Sequence, residues 1–337
     1  MKRRSEQGRE APTAKGIAAA AAAPSSSSSS SSSMGQAASS AGLPQLPAAG
    51  GLLSWFEKLS IKNVLRDVFI CYASLPFIIR LFPSLLRKFV YLNFISIPFW
   101  TDFHKPEVFL GHTQNFYLTP EPGITLGIWH TLPDNRWKEA EGKDLSWYQE
   151  ALADDNPVII YLHGNGGTRA TGHRVSLAKV MSGGGFHVLS VDHRGISTNT
   201  ARHLKEKGIV VDAIVLEAPF TNIRDAAAEI PITKIYRKFP GFESLILDTM
   251  ARAEMYFPSD QNVKVLSSPI LILHAEDDVM IPVHQGRKLF EIARNASEKK
   301  ENIQFIPFPS AKGFGHDHIS SNPELPDILK DFLKSIK

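Results

Sequence analysis

The sequence predicts an α/β fold: a mostly parallel sheet with helices on both faces. Two observations predict it. Short uncharged runs rich in branched residues, Val158–Leu162 (VIIYL), Ala213–Leu216 (AIVL) and Ile270–Leu273 (ILIL), show no alternation, the pattern of strands covered on both sides. Segments of helical length and period separate these runs, and strands alternating with helices build a parallel sheet.

In chain order, residues 1–50 read as a tail. Lys2-Arg3-Arg4 opens it, followed by an alanine run (Ala18–Ala23) and a serine run (Ser25–Ser33). With so little aromatic or branched surface to bury, it is expected to be disordered. Polyalanine is a poor core for a secretory signal, and Glu6 and Glu10 count against a mitochondrial presequence. The tail holds five of the 37 Lys and Arg and two of the 34 Asp and Glu, which leaves 32 of each sign beyond it. The pI of 8.8 is therefore a property of the tail, and no nucleic-acid partner is expected. A single cysteine, Cys71, excludes a disulfide framework and any multi-cysteine metal site, and nothing in the sequence calls for a cofactor.

Residues 51–105 hold the greasiest stretch. Val68–Ile79 is uncharged for twelve residues, short of the ~17–25 of a spanning helix. Extension to Val64–Phe82 gives nineteen but takes in Arg66, Asp67 and Arg80 near the ends, where long side chains reach the interface. A second apolar run, Phe89–Trp100, follows Arg87-Lys88. The expectation is a membrane anchor or an interfacial helical hairpin; the alternative is a buried pair of core helices.

Residues 106–337 read as the globular domain. Asn115–Leu118 and Ile124–Trp129 form a hairpin turned at Glu121-Pro122-Gly123. After Val158–Leu162 come a helix over Gly172–Met181, a turn at Gly183-Gly184-Gly185 and a strand over Phe186–Val191. A short helix over Thr200–Lys207 leads to Ala213–Leu216. Ile270–Leu273, a helix over Val283–Ser297, the strand Ile303–Phe308 and a helix over Glu324–Lys337 complete the series.

Three loops carry chemistry. His163-Gly164-Asn165-Gly166-Gly167 follows a strand directly, where a small glycine-rich turn aims backbone N–H groups at a developing oxyanion; the Asn165 amide is the expected donor. A phosphate cradle is the alternative, but G-x-G-x-x-G and Walker spacings are both missing. His274-Ala-Glu-Asp277-Asp278 follows the next buried run and places an acid, Asp278, beyond a strand's carboxyl end. Gly313-Phe-Gly315-His316 follows the strand after that, 38 residues on, and presents His316 as a general base. Oxyanion loop, acid and histidine, each behind its own strand, is the α/β-hydrolase arrangement. Taken singly, Asp278 reads as a helix cap. His316-Asp317-His318 also reads as a metal pair, but it needs an extended segment and a third ligand, and no metal is expected.

The nucleophile is what the sequence lacks. That fold carries it as G-x-S-x-G on a strand-to-helix elbow, and no such motif occurs anywhere in the chain. Between Asp192 and Asp212 lie nineteen residues, too few for a βαβ unit of roughly 30. The nearest imitation is Gly195-Ile196-Ser197-Thr198-Asn199. It lacks the closing glycine and hangs from the neighbouring strand, so Ser197 reads first as a helix cap and only secondarily as a substitute nucleophile. A central strand is expected to be missing from the sheet.

YLHGNGGTR (161–169), HVLSVDHRG (187–195), VLEAPFTNIR (215–224), FPGF (239–242) and LILHAEDD (271–278), with GIWHTLP (127–133) and GKDLSWY (142–148), resemble the abhydrolase-domain lysophosphatidylserine lipases. The resemblance runs from about Asn63 to the C-terminus. It implies a membrane-anchored serine hydrolase of lysophospholipid and monoacylglycerol, with the single-pass anchor near Val64–Phe82 and the catalytic domain on the lumenal side of the endoplasmic reticulum membrane. It further implies Asp278 as triad acid, His316 as triad histidine and Asn165 as the first oxyanion amide. Asn295-Ala296-Ser297 is then a candidate glycosylation sequon. Where this sequence passes from Arg194-Gly195 almost at once to Ser197-Thr198-Asn199-Thr200, the family carries a long helical stretch and the elbow G-H-S-L-G. An in-frame loss of that segment is the reading, and with it an inactive or poorly folded chain.

Overall fold

A computed structural model describes residues 60–85, 88, 98–164, 166–192, 197–229, 236–238, 241–252 and 257–336. The tail, and the run Phe89–Trp100 except for its last three residues, lie outside them. The region from Ile61 to Lys337 forms one compact unit. In order it contains α1 (Ile61–Leu81), β1 (Thr113–Glu121), β2 (Ile124–Thr131), α2 (Leu145–Ala151), β3 (Val158–Leu162), α3 (Gly172–Gly183), β4 (His187–Val191) and α4 (Ser197–Glu206). There follow β5 (Ile214–Glu217), α5 (Ile223–Glu229), α6 (Asp248–Arg252), α7 (Ser259–Val265), β6 (Ile270–Ala275), α8 (Val283–Ala296), β7 (Ile303–Phe308) and α9 (Leu325–Ser335).

The strands fall into two half-sheets. One runs β1-β2-β4-β3, the other β5-β6-β7. The β1–β2 hairpin turns at Pro122-Gly123, where Gly123 takes the positive φ of 80° that a side chain resists. β2 pairs antiparallel with β4, β4 parallel with β3, and all pairing in the second half-sheet is parallel. Among the described residues β3 and β5 each have one hydrogen-bonded neighbour and do not pair with each other.

This corrects one reading. Val158–Leu162 has the composition of a strand covered on both faces, yet Val158 is 43% and Ile160 59% exposed. The composition suits a central strand, and β3 has become an edge. Across the opening, Val215 on β5 is 39% exposed. β6 has the same composition and keeps both neighbours; all six of its residues are buried.

One core joins the halves. Trp129, Ala178, Met181, Phe186 and Val188 from the first half pack with Leu271, Leu273, Ala275, Phe308, Ile319, Leu325 and Phe332. Its helices are α3 and α9, on one face of both sheets. On the opposite face, Ile214, Leu216, Ile270, Ile272 and Ile303 pack with Val263, Leu289 and Ala293 of α7 and α8, a cluster confined to the second half. β6 thus divides its side chains alternately between two cores. Each such Leu or Ile contributes about 1.5–3 kcal/mol when fully buried.

Behind β2 and β4 sits a buried polar chain. His130 Nε2 lies 3.0 Å from His187 Nδ1, and His187 Nε2 donates to Asp154 at 3.1 Å, which also takes Arg136 at 2.6 Å. Withdrawal from water, and then the neighbouring His187, lower the His130 pKa to about 4.

α1 is not a core helix. Ile79 packs against Ala227, Phe242, Ile246 and Met250, and the Tyr72 ring stacks on Tyr236 at 4.5 Å. Leu65, Val68, Phe69 and Ile70 nevertheless stand 54–67% exposed. Among the described residues, no helix is long and apolar enough to cross a membrane.

Candidate active site

The acid and the histidine meet. β6 ends at Ala275, and the turn that follows carries Asp278, whose side chain is fully buried. One of its oxygens accepts the N–H groups of Met280 and Ile281 at 2.9 and 2.8 Å. The other accepts His316 Nδ1–H at 2.8 Å. Burial opposes the charge on Asp278, but hydrogen bonds from His274 and His316 and the Ile281 amide prevail, holding its pKa well below the ordinary carboxylate range. Burial works against protonation of His316 too, yet the hydrogen bond and charge of Asp278, with Asp317 and Glu217, raise its pKa. With Nδ1–H committed to Asp278, Nε2 is left as the lone-pair nitrogen, the tautomer a general base requires.

Residues the sequence reading passed over hold this pair in place. Asp277 accepts the Gly315 N–H at 3.1 Å, so the two adjacent acids divide the work, one fixing the ring and the other the loop beneath it. Gly313 and Gly315 have φ of 66° and 52°, which lets that loop turn back over the acid. His274 donates to the Ile281 carbonyl at 2.8 Å and lies 3.4 Å from Asp278. A Cβ at Gly286 of α8 would occupy the place of the His274 ring, so this glycine is required by a close approach. The doubled acid was visible in HAEDD and His316 was expected beside Asp278; the Gly315 amide as the partner of Asp277 was not foreseen.

The glycine-rich turn after β3 has its own clamp. Arg174, in the first turn of α3 and buried, donates to the carbonyls of Thr168 at 3.0 Å, Gly164 at 3.1 Å and Gly166 at 2.5 Å. One guanidinium thereby gathers three carbonyls of this turn. Asn165 itself lies outside the described residues. Beside the turn, His163 is pushed down to about pKa 4, chiefly by burial and then by the Arg174 charge. Arg169 pairs with Asp192 and lies over the Phe103 and Trp129 rings at 4.7 and 5.2 Å.

Glu217, the last residue of β5, was likewise unforeseen. Partly buried, it accepts the Ser320 N–H at 3.0 Å and senses both His316 and Asp317; withdrawal from water raises its pKa to about 7. Tyr161, near the carboxyl end of β3, senses Glu217 and Asp317 in turn. The carboxyl end of β5 is thus tied to the 319–321 turn, which packs on α3, the helix whose Arg174 holds the turn after β3.

Ser197 is elsewhere in role. It is the first residue of α4, half-buried, and the next residue, Thr198, is pinned to α7 through Asn262 at 3.2 Å and Ser259 at 3.4 Å. Among the described hydrogen bonds none joins Ser197 to His316. Asn295 is exposed in the last turn of α8.

Two half-sheets with helices on both faces, a buried acid after β6 and its histidine after β7 define an α/β-hydrolase. No family model matches the chain. It is 40% identical over 343 residues to the lysophosphatidylserine lipase ABHD12 of Rattus norvegicus, covering 88% of this chain and 85% of that protein. It is also 40% identical over 353 residues to protein ABHD12B of Homo sapiens, covering 88% of this chain and 97% of that one. Among solved structures it is similar to the Pyrococcus furiosus esterase Pf2001, with a TM-score of 0.46 and 14% identity, covering 71% of this chain and 95% of that one. The chain belongs to the family of ABHD12 and ABHD12B. In the rat alignment, about 297 of its 337 residues occupy 343 positions, so at about 46 positions the relative has residues and this chain none.

Proposed function

We propose that this chain is a lipid-ester-binding member of the lysophosphatidylserine lipase family that keeps the acid–base half of the hydrolytic site and has lost turnover. The observation that carries the reading is the assembled Asp278–His316 pair, 2.8 Å apart, beside an opening in the sheet, in a sequence without G-x-S-x-G. In a complete site a serine attacks the ester carbonyl, His316 Nε2 takes its proton, Asp278 stabilises the imidazolium, and the Asn165 amide holds the oxyanion. Among the described hydrogen bonds none joins a hydroxyl to His316, which supports this reading. The triad acts as a unit, so what remains is binding and whatever anion stabilisation the turn supplies. The positions at which the rat relative has residues and this chain none support loss of a segment over drift of single residues.

The substrate class is read from the relatives' names: a lysophospholipid, with monoacylglycerol as the second candidate by resemblance. The exposed apolar side of α1 supports seating at a membrane surface, and the resemblance favours the lumenal face of the endoplasmic reticulum, where Asn295 would be open to glycosylation.

The test is labelling of the membrane-expressed chain with a fluorophosphonate and mass-spectrometric mapping of serines, alongside the rat relative. The expected result is a labelled relative, no labelled serine here, and no release of fatty acid from lysophosphatidylserine. A modified Ser197 would overturn the proposal, because α4 would then have rebuilt an elbow.

A further inference from the structure

Among the described residues β3 ends one half-sheet and β5 the other, and one core packs against both. Ile159 and Tyr161 of β3 pack into the core shared by the two halves, so Val158 and Ile160, pointing the other way, are the side chains left bare. On β5 the pattern is reversed. Ile214 and Leu216 are buried against α7 and α8, and Val215, facing the shared core, is exposed. The opening is therefore apolar on both faces, as the place of a central strand should be. Glu217 at the carboxyl end of β5 accepts the Ser320 N–H, the 319–321 turn packs on α3, and Arg174 of α3 holds the turn that leaves the carboxyl end of β3, so the two edges run in the same direction. Their backbones are kept extended from outside, by β4 on one side and β6 on the other.

We infer that this opening is a binding site for one extended polypeptide strand supplied by another molecule, lying parallel to both edges and completing the sheet. The two edges also define the occupant. β3 has five residues and β5 four, so the pairing segment is about that long. Bare apolar side chains on both faces require consecutive branched apolar residues rather than an alternating pattern. Asp155 and Asp212, both exposed, precede the two edges at their amino ends. A strand entering parallel with a basic residue ahead of its apolar run matches those charges. Backbone pairing provides the affinity and the apolar faces the selection, the logic of strand addition to a sheet edge. The inference rests on the split sheet and holds whether or not His316 retains a catalytic partner.

The probe is a fluorescein-labelled peptide, Lys-Lys-Val-Ile-Val-Val-Thr-Gly, titrated with the full chain in detergent and followed by anisotropy. The expected result is saturable binding, weakened at least tenfold when the central valine of the peptide is replaced by proline, which has no N–H to pair. Ile160→Asp should weaken binding at least tenfold, whereas Val108→Asp, at a site that is 72% exposed beside β1 at the far side of that half-sheet, should not. Both positions are exposed, and circular dichroism with a thermal melt checks that each variant folds. Equal binding of the proline peptide would overturn the inference, since any sticky surface would give that. So would failure of the folded chain to bind, or a dimer by light scattering that Ile160→Asp dissociates while the peptide stays unbound; that last result would make a second copy the occupant.

Discussion

At the scale of single residues, the site is a set of groups whose protonation is fixed by neighbours, and two substitutions read it out. Glu217 is raised to about 7 by withdrawal from water, so the folded chain holds a proton that the unfolded chain releases near pH 4.3. Stability contributed by that proton falls as pH rises between roughly 4.3 and 7. Glu217→Gln keeps an oxygen for the Ser320 N–H and cannot ionise, so it should stabilise the chain by about 1–2 kcal/mol at pH 8 and hardly at all at pH 5. Denaturant melts at the two pH values decide it. His316 is raised largely through its contact with Asp278. Asp278→Asn should therefore lower the His316 pKa, followed by NMR of the imidazole, while the Met280 and Ile281 amides keep an acceptor. The pairing of Asp278 with His316 was legible because each follows a buried run at a fixed place in the order. Arg174 and Glu217 were not, since their work depends on which backbone carbonyls and amides fold next to them, and no spacing in sequence encodes that.

At the scale of elements, every strand of the sheet was legible to within a few residues, because branched runs and glycine turns are local signals. What stayed hidden was whether a run is central or at an edge. Val158–Leu162 and Ile270–Ala275 have similar composition, and only the number of neighbouring strands separates them. Ile160→Thr should accordingly shift stability by less than about 0.5 kcal/mol, as at an exposed site. Ile272→Thr, at 0% exposure, should cost about 3 kcal/mol or more through the cavity and the unpaired hydroxyl. Urea titration of the two variants compares them directly, and equal costs would mean the opening beside β3 is covered. For α1, the sequence signalled a greasy segment but not its posture, since period and length leave spanning, lying flat and packing open. Leu65 and Phe69 share one exposed side of that helix, 63% and 67% exposed. Changing both to Ser should reduce co-flotation with phosphatidylcholine–phosphatidylserine vesicles severalfold while leaving the thermal midpoint in detergent within about 2 °C.

For the molecule as a whole, the histidines and Glu217 set opposing pH dependences. His130 and His163 fall to about 4, and His112 and His173 are lowered as well, each chiefly by burial. Below about pH 6.5 the unfolded chain takes up protons that these folded rings refuse, so acidification costs stability. His316 acts the other way: its contribution is complete below about pH 6.5 and is lost as pH rises through its raised folded value. Four rings outweigh the combination of His316 and Glu217, so the thermal midpoint should drop from pH 7 to pH 4.5, and more steeply in Glu217→Gln, which loses one opposing group. A midpoint that rises on acidification would refute this balance. The class of fold was legible at this scale from the order of strands, loops and site residues, because that order survives the loss of a strand; the separation into halves is a property of the pairing alone. The one-sided core gives that separation a mechanical meaning. α3, α9 and the turn at Ile319–Ser321 grip both half-sheets along a single face, and the packing on the far face stays within one half. Such a body should bend as a book does about its spine: Met181, Ile319 and Leu325 form the binding, and the halves are expected to part on the unbound side, between β3 and β5.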